Sequence, residues 1–125
     1  MIFVLVTVYR GLGLEFVKQL AKFSKSPKIF ALCRDPQGAE KLQNLANGSP
    51  NVSIIKADMT DFDRYNEVVS SIKEQTDSGG INLLINNAGM MLKDTLTSVK
   101  HKSLIDTFEL NAVAPLLFTK ALLPC

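Results

Sequence analysis

Four short apolar runs, separated by longer segments of helical character, constrain the fold of this chain more than any other feature. Runs this continuous and this rich in Val, Ile and Phe are typical of strands that are buried on both faces of a parallel sheet. We therefore predict four strands, which are IFVLVTV (2–8), KIFALC (28–33), NVSIIKA (51–57) and INLLIN (81–86).

The first two intervening segments have the periodicity and the end signals of helices. GLEFVKQLAKFS (13–24) places on one helical face the side chains of Phe16, Val17, Leu20 and Phe23. PQGAEKLQNLANG (36–48) begins with Pro36 and ends at Gly48, a pattern typical of a helix start and stop.

Two further helices are predicted in the second half of the chain. One begins at Asp61, a residue type favoured at N-caps, and ends near residues 77–80. Its apolar face contains Tyr65, Val68, Val69 and Ile72. The other runs from about Ser98 to Leu123 and is the longest and most apolar of the four.

Regular alternation of strand and helix with short links implies right-handed crossovers and a doubly wound parallel α/β sheet. Placing the first strand between the second and the fourth gives the order 3-2-1-4 with flanking helices. This is the opening half of a Rossmann-type dinucleotide-binding fold. We therefore predict a single domain over residues 1–125, because the length allows one ordinary domain and not two.

Composition excludes several other classes of protein. The chain is 46% hydrophobic and 21% charged, as globular proteins are, and no apolar run reaches the length of a membrane span. A net charge of +2 is too balanced to indicate a nucleic-acid or membrane surface. Cys33 and Cys125 form no disulfide framework and have no metal-ligand spacing. We expect no metal site, no signal peptide and a cytoplasmic location.

A glycine turn follows the first predicted strand. In a doubly wound sheet the ligand lies beyond the carboxyl ends of the strands, so Thr7 and the residues after it are candidates for cofactor contact. Gly11 and Gly13, with Leu12 between them, permit positive φ and let a pyrophosphate approach backbone N–H groups at a helix N-terminus. Two glycines alone also suit an ordinary tight loop, but their position in a βαβ pattern favours phosphate binding.

The residue after the second strand distinguishes between the two nicotinamide dinucleotides. Arg34 follows Gly13 by 21 residues, close to the roughly 20 expected for the residue that contacts the adenosine ribose. Arginine there favours a 2′-phosphate through bidentate contacts. Arg10 could reach the same phosphate. Each arginine alone is more often a solvated loop residue, but the pair at matching positions predicts NADP(H).

Five stretches together give a family resemblance over the whole chain. They are RGLGLEFVKQL (10–20), ALCRDP (31–36), IKADMTD (55–61), LLINNAG (83–89) and FELNAVAPLLFTKALLP (108–124). With these motifs the sequence resembles the short-chain dehydrogenase/reductase family, and in particular its carbonyl-reductase and C-factor-like members.

The resemblance implies cofactor-binding roles for residues after the third and fourth strands. Asp58 would accept a hydrogen bond from the adenine amino group, with Met59 beside the ring. The backbone of Asn87, Ala88 and Gly89 would line the adenosine ribose. An alternative role for Asp58 is an N-cap of the third helix, which Asp61 fills more naturally.

The resemblance also implies roles for two asparagines. Asn86 would tie the fourth strand to the first near Thr7, and Asn111 would be the asparagine of the catalytic tetrad. Asn111 also precedes Pro115 by four residues, and proline cannot donate a hydrogen bond to the carbonyl of residue 111. The sequence alone therefore predicts a kink there, with or without a function.

The glycine turn departs from the family pattern Thr-Gly-x-x-x-Gly-x-Gly. Only four steps separate Thr7 from Gly11, and Val8 replaces the first glycine. A β-branched residue resists positive φ and would crowd the pyrophosphate, unless Val8 simply prolongs the strand. We expect a weakened affinity for NADP(H).

The catalytic tyrosine and lysine of the family are not found in these residues. Tyr9 and Tyr65 are followed four positions later by Gly13 and Val69 instead of lysine. Hydride delivery to a carbonyl needs a proton donor, and His101 suits a solvated helix position better. We expect the cofactor-binding half of an oxidoreductase for small carbonyl or alcohol substrates, inactive alone and without the catalytic serine.

Two alternatives remain open. The chain could be a non-catalytic form that binds nucleotide or pairs with a full-length relative, or a remnant with neither property. Its fourth helix is apolar nearly all round and its fourth strand lacks an outer neighbour. We therefore expect a homo- or heterodimer through the fourth helix, or an unstable chain.

Overall fold

The chain folds around a four-stranded parallel sheet with the order β3-β2-β1-β4. In the computed structural model, which describes residues 1–6, 8, 10–76 and 79–125, the strands are β1 (Ile2–Val6), β2 (Lys28–Cys33), β3 (Val52–Lys56) and β4 (Leu83–Asn86). In the register, Val4 lies between Phe30 of β2 and Leu84 of β4. The predicted strand order and the doubly wound parallel sheet are confirmed.

Helices cover both faces of the sheet. α1 (Gly11–Ala21) and α2 (Glu40–Asn47) pack on one face, and α3 (Tyr65–Glu74) packs on the other. The last helical segment comprises α4 (His101–Phe108), a π-helical turn (Glu109–Val113) and α5 (Ala114–Leu122). None of the helices in the described part of the chain has the length and hydropathy needed to span a bilayer.

The central strand β2 separates two apolar cores. Phe30 and Leu32 point toward α3 and α5, whereas Ile29 and Ala31 point toward α1 and α2, and all four are fully buried. This burial on both faces explains why the strand is a continuous apolar run instead of an alternating one.

The inner face of α1 differs from the prediction at two aromatic residues. Val17 is fully buried and Leu20 is partly buried in the core, but Phe16 and Phe23 are 40% and 49% exposed. The helix begins at Gly11, and its buried residues are Gly13 and Val17. The side chains of Phe16 and Phe23 therefore lie at the margin of the contact with the sheet.

Two predicted helix starts are wrong. α2 begins at Glu40 instead of Pro36, because residues 36–39 form a turn in which the Ala39 N–H donates to the Pro36 carbonyl at 3.2 Å. Asp61 precedes a 3₁₀ turn (Phe62–Arg64) and makes no side-chain cap, so α3 begins only at Tyr65. Its carboxylate instead lies 3.7 Å from Nε of Arg64.

The predicted helix over 98–123 is helical from His101 to Leu122, with a change of winding in the middle. The Ala114 N–H donates to the Glu109 carbonyl, five residues earlier. Pro115 follows directly and has no N–H to give to the carbonyl four residues before it. A π turn is a usual way to absorb such a break, and it confirms the predicted irregularity.

Apolar surface remains exposed on the last helical segment and on β4. α4 contains no buried residue, and Leu104, Phe108 and Leu116 are 50%, 62% and 70% exposed. Within the described ranges β4 pairs with β1 alone, and its Leu83 is 38% exposed. The expected open apolar edge and helix face are therefore both present.

The assignment of buried and marginal residues on the α1 and α2 face can be tested by two substitutions. We expect Leu42→Ala to lower the free energy of unfolding by about 2–5 kcal/mol, because Leu42 is fully buried. Phe23→Ala should change it by about 0.5 kcal/mol or less. Urea unfolding measures both. An equal cost for the two variants would show that Phe23 belongs to the core.

Candidate functional site

A cleft of about 710 Å³ runs along the carboxyl ends of the four strands. Its walls come from the segments that follow each strand and from one side of α4 and the π turn. The residues that line it are Arg10, Gly11, Leu12, Arg34, Ala57, Asp58, Met59, Thr60, Asn87, Gly89, Met90, Lys102, Asp106, Glu109 and Leu110.

Most of the predicted cofactor-binding residues meet in this cleft. Eight line it: Arg10, Gly11, Leu12, Arg34, Asp58, Met59, Asn87 and Gly89. Gly13 is instead buried inside the first turn of α1, and Ala88 packs against the core on the α3 and α5 face. Asn111 does not line the cleft, and Thr7 lies outside the described residues.

The glycine turn presents a helix N-terminus to the cleft. Gly11 has φ +55°, a left-handed conformation that favours glycine, and a Cβ added there would meet nothing within 4 Å. The glycine is therefore needed for its backbone conformation. Arg10 is extended and gives α1 no side-chain cap, and the first turn contains no acidic residue. Uncapped N–H groups and the helix dipole favour an anion at this point.

Val8 does not crowd this turn. Its N–H donates to the Leu32 carbonyl of β2 at 3.3 Å, beyond the end of β1 at Val6. Its side chain is fully buried in the core with Val17 and Ile29. The side chain of Val8 therefore points into the core and away from the cleft, and the effect of the missing glycine on pyrophosphate binding stays a prediction.

Arg34 stands at the end of β2 with its side chain exposed to the cleft. It forms no ion pair with the residues that the structure describes. Arg10 borders the same cleft from the end of β1. Two guanidinium groups and a helix N-terminus therefore border the same cleft.

Asp58 organises a tight turn after β3. Its Oδ1 accepts hydrogen bonds from the Thr60 N–H at 2.9 Å and the Thr60 hydroxyl at 2.8 Å, and its carbonyl accepts the Asp61 N–H at 3.1 Å. Asp58 thus caps its own turn and not α3, which corrects the alternative role considered for it. Its Oδ2 accepts no hydrogen bond from the described residues and is available to a ligand.

Residues of α4 and the π turn form a wall that sequence reasoning missed. Lys102, Asp106 and Glu109 follow the helical spacing i, i+4, i+7, so their common face was visible in the sequence, but its direction toward the cleft was not. Lys102 Nζ lies 2.7 Å from Asp106 Oδ2. This hydrogen bond, together with the carboxylate charge, raises the pKa of Lys102.

Asn111 joins the π turn to the segment after β4. Its Oδ1 accepts the Met90 N–H at 2.8 Å, and its Nδ2 donates to the Met90 carbonyl at 2.7 Å. A Cβ added at Gly89 would lie 3.4 Å from Asn111 Oδ1, so this glycine and the Asn111 amide are in close contact. Asn86 Nδ2 donates to Thr119 Oγ1 of α5 at 3.2 Å, and its predicted tie to Thr7 falls outside the described residues.

Comparison with known proteins agrees with this geometry. A sequence model of the short chain dehydrogenase family matches residues 2–125. Among curated relatives, an uncharacterised oxidoreductase of Schizosaccharomyces pombe is 35% identical over 81 residues, which are 65% of this chain and 31% of that protein. Galactitol 2-dehydrogenase of Agrobacterium fabrum is 28% identical over 112 residues, which are 90% of this chain and 41% of the enzyme.

Two solved structures are similar in both sequence and fold. The NADPH-bound carbonyl reductase from chicken fatty liver is 41% identical with a TM-score of 0.91, over 97% of this chain and 50% of that one. The carbonyl reductase Sniffer of Drosophila melanogaster is 36% identical with a TM-score of 0.92, over 98% and 50%. The chain thus spans about half the length of the solved structures it matches, and less of the curated relatives.

The link between Asn111 and Met90 can be tested by amide exchange. We expect Asn111→Ala to speed exchange of the Met90 N–H by about two- to tenfold, since a net hydrogen bond is worth about 0.5–1.5 kcal/mol. Lys120→Ala, at an exposed position of α5, is the matched control and should leave that amide unchanged. Unchanged exchange at Met90 in Asn111→Ala would show that the two residues are not joined in solution.

Proposed function

The chain belongs to the short chain dehydrogenase family, and from this premise we propose that it is the cofactor-binding half of an NADP(H)-dependent oxidoreductase for carbonyl and alcohol compounds. The observation that carries the proposal is the meeting of Arg10, Arg34 and the α1 N-terminus with the Asp58 turn in one cleft. This arrangement provides cationic groups for phosphates at one end and a turn for a purine at the other.

Among the described residues of the glycine turn, neither Val8 nor Gly11 places a side chain in the phosphate end of the cleft. The left-handed backbone at Gly11 places the start of α1 at the cleft surface. Val8, which replaces a glycine of the family pattern, is turned into the core. Backbone N–H groups and the helix dipole would hold the pyrophosphate.

The purine end is shaped by the Asp58 turn. The Oδ2 atom of Asp58, to which no described residue donates a hydrogen bond, is an acceptor that suits the exocyclic amino group of adenine. Met59 borders the same end of the cleft but is only 4% exposed, because it belongs to the core on the α3 and α5 face. The segment from Asn87 to Gly89 would follow the ribose, held in place through the Asn111–Met90 hydrogen bonds.

Reduction of a carbonyl group needs a proton donor in addition to a bound cofactor. Bound NADPH supplies the hydride, and the carbonyl oxygen must then receive a proton from a nearby donor. Tyr65 is buried and its hydroxyl is bonded to the Met59 carbonyl, so it cannot serve a substrate. We therefore propose that these residues bind and orient the cofactor and do not reduce a carbonyl compound alone.

Isothermal titration with NADPH and NADH tests the proposal. We expect NADPH to bind more tightly than NADH. Arg34→Ala should lower the affinity for NADPH by about 10- to 100-fold, since hydrogen bonds to charged groups are worth about 1.5–3 kcal/mol. NADH affinity should change little. Because the turn is one residue shorter than the family pattern, the affinity should be weaker than micromolar.

The control for Arg34 is Lys41→Ala on the exposed side of α2, which should alter neither affinity. Ordinary micromolar binding of NADPH would show that the short turn is sufficient. An equal affinity for both dinucleotides, or an equal loss of both in Arg34→Ala, would contradict the assigned role of that arginine.

A second candidate function is association with a like chain through the last helical segment. The three exposed leucine and phenylalanine side chains Leu104, Phe108 and Leu116 form an apolar face on α4 and α5. Exposed apolar surface of this kind marks interaction sites, and two copies of one face can cover each other around a two-fold axis. The partner would be a second copy or a longer relative that carries the same face.

Sedimentation velocity at micromolar concentration tests this association. We expect a dimer that Phe108→Glu converts to monomer, because a charge would have to be buried in the contact. Leu96→Glu, at a 94% exposed loop position, is the control and should leave the dimer intact. A monomer in the unsubstituted chain would exclude self-association.

A further inference from the structure

The turn over residues 58–61, which we call the adenine turn, has open space on both sides. The 710 Å³ cleft lies on one side, and a second cleft of about 540 Å³ lies on the other. Arg34, Ala57 and Asp58 line both clefts. Within the turn only Met59 is anchored by packing: it is 4% exposed and belongs to the core with Tyr65 and Phe118, whereas Asp58 and Thr60 are exposed and depend on hydrogen bonds for their position.

Two groups of hydrogen bonds fix the adenine turn, and they come from different sources. The first is local: Asp58 accepts bonds from Thr60 and Asp61 and so sets the shape of the turn. The second comes from the first residue of α3. The Tyr65 hydroxyl donates to the Met59 carbonyl at 2.5 Å and so sets the position of the turn relative to the core.

Tyr65 is itself rigidly held. It is only 5% exposed, and its ring makes edge contacts with Phe62 at 5.7 Å and with Phe118 of α5 at 5.1 Å between centroids. Burial, with the charge of Asp58 adding to it, raises the pKa of Tyr65 to about 12. The phenol therefore stays protonated and donates its hydrogen bond throughout the physiological pH range.

We propose that Tyr65 is a positioning residue for adenine recognition: its hydroxyl holds the Met59 carbonyl so that Asp58 Oδ2 faces the cofactor cleft. This rests on the proposed function of the cleft. Without the hydroxyl, the adenine turn can shift toward the second cleft, and the bonds of Thr60 and Asp61 to Asp58 that set its shape open more often. A phenyl ring without the hydroxyl would preserve the packing of the core but would not hold the adenine turn in position at the cofactor cleft.

Tyr65→Phe tests the proposal because it keeps the ring and both edge contacts. In the ligand-free variant we expect the Thr60 and Asp61 amides to exchange about five- to tenfold faster, as expected for the loss of one buried hydrogen bond. Affinity for adenosine 2′,5′-bisphosphate should fall by a similar factor. Affinity for nicotinamide mononucleotide, which has no adenine, should not change.

Val69→Ala is the matched control, because Val69 lies in the same helix and core and has no contact with the adenine turn that the structure records. It should lower stability without a selective loss of the adenine nucleotide. Equal effects of the two variants on the affinity for both nucleotides would show that Tyr65 acts only as a core residue and would overturn the proposal.

Two further results distinguish a failure of the proposed function from a failure of the role proposed for Tyr65. If the unsubstituted chain fails to bind adenosine 2′,5′-bisphosphate, the proposed function fails, while amide exchange in the ligand-free variant still tests the hold on the turn. If Tyr65→Phe does not fold, the exchange rate of the Tyr65 hydroxyl proton in the unsubstituted chain provides the test instead. Saturation with the nucleotide should slow its exchange with water, and an unchanged rate would overturn the proposal.

Discussion

Parallel pairing of β1 with both β2 and β4 is the constraint on which the rest of the structure depends. Parallel strands end at the same edge of the sheet, so the segments after all four strands meet in one place. This is why residues as distant in sequence as Gly11, Arg34, Asp58 and Asn87 line a single cleft. The chemistry of the cleft follows from the topology, since no one segment contains enough groups to bind a dinucleotide.

Much of the fold and of the candidate site could be predicted because the signals are local in the sequence. Apolar runs buried on both faces identified the strands, and the alternation with helices gave their order. The spacing of Arg34 from Gly13 was enough to place an arginine at the end of the second strand. Asn111 and Pro115 marked the irregular helix, since proline removes a backbone donor wherever it occurs.

The features that could not be predicted depend on side-chain packing, which the periodicity of the sequence alone does not determine. Val8 could have faced a ligand or the core, and only its pairing with Leu32 decides for the core. Phe16 and Phe23 have helical spacing with Val17, yet α1 lies against the sheet through Gly13 and Val17. The hold of Tyr65 on Met59 crosses from a helix to a turn, so no pattern in the sequence indicates it.

The central claim is that one cleft at the strand ends binds the adenosine phosphate part of NADP(H). The most direct measurement is a titration of the ¹⁵N-labelled chain with adenosine 2′,5′-bisphosphate, followed by amide chemical shifts. The account predicts that Gly11, Arg34 and Thr60 shift together along one saturable curve, while residues of α2 stay still. Absence of saturable shifts, or shifts confined to residues away from the strand ends, would contradict it.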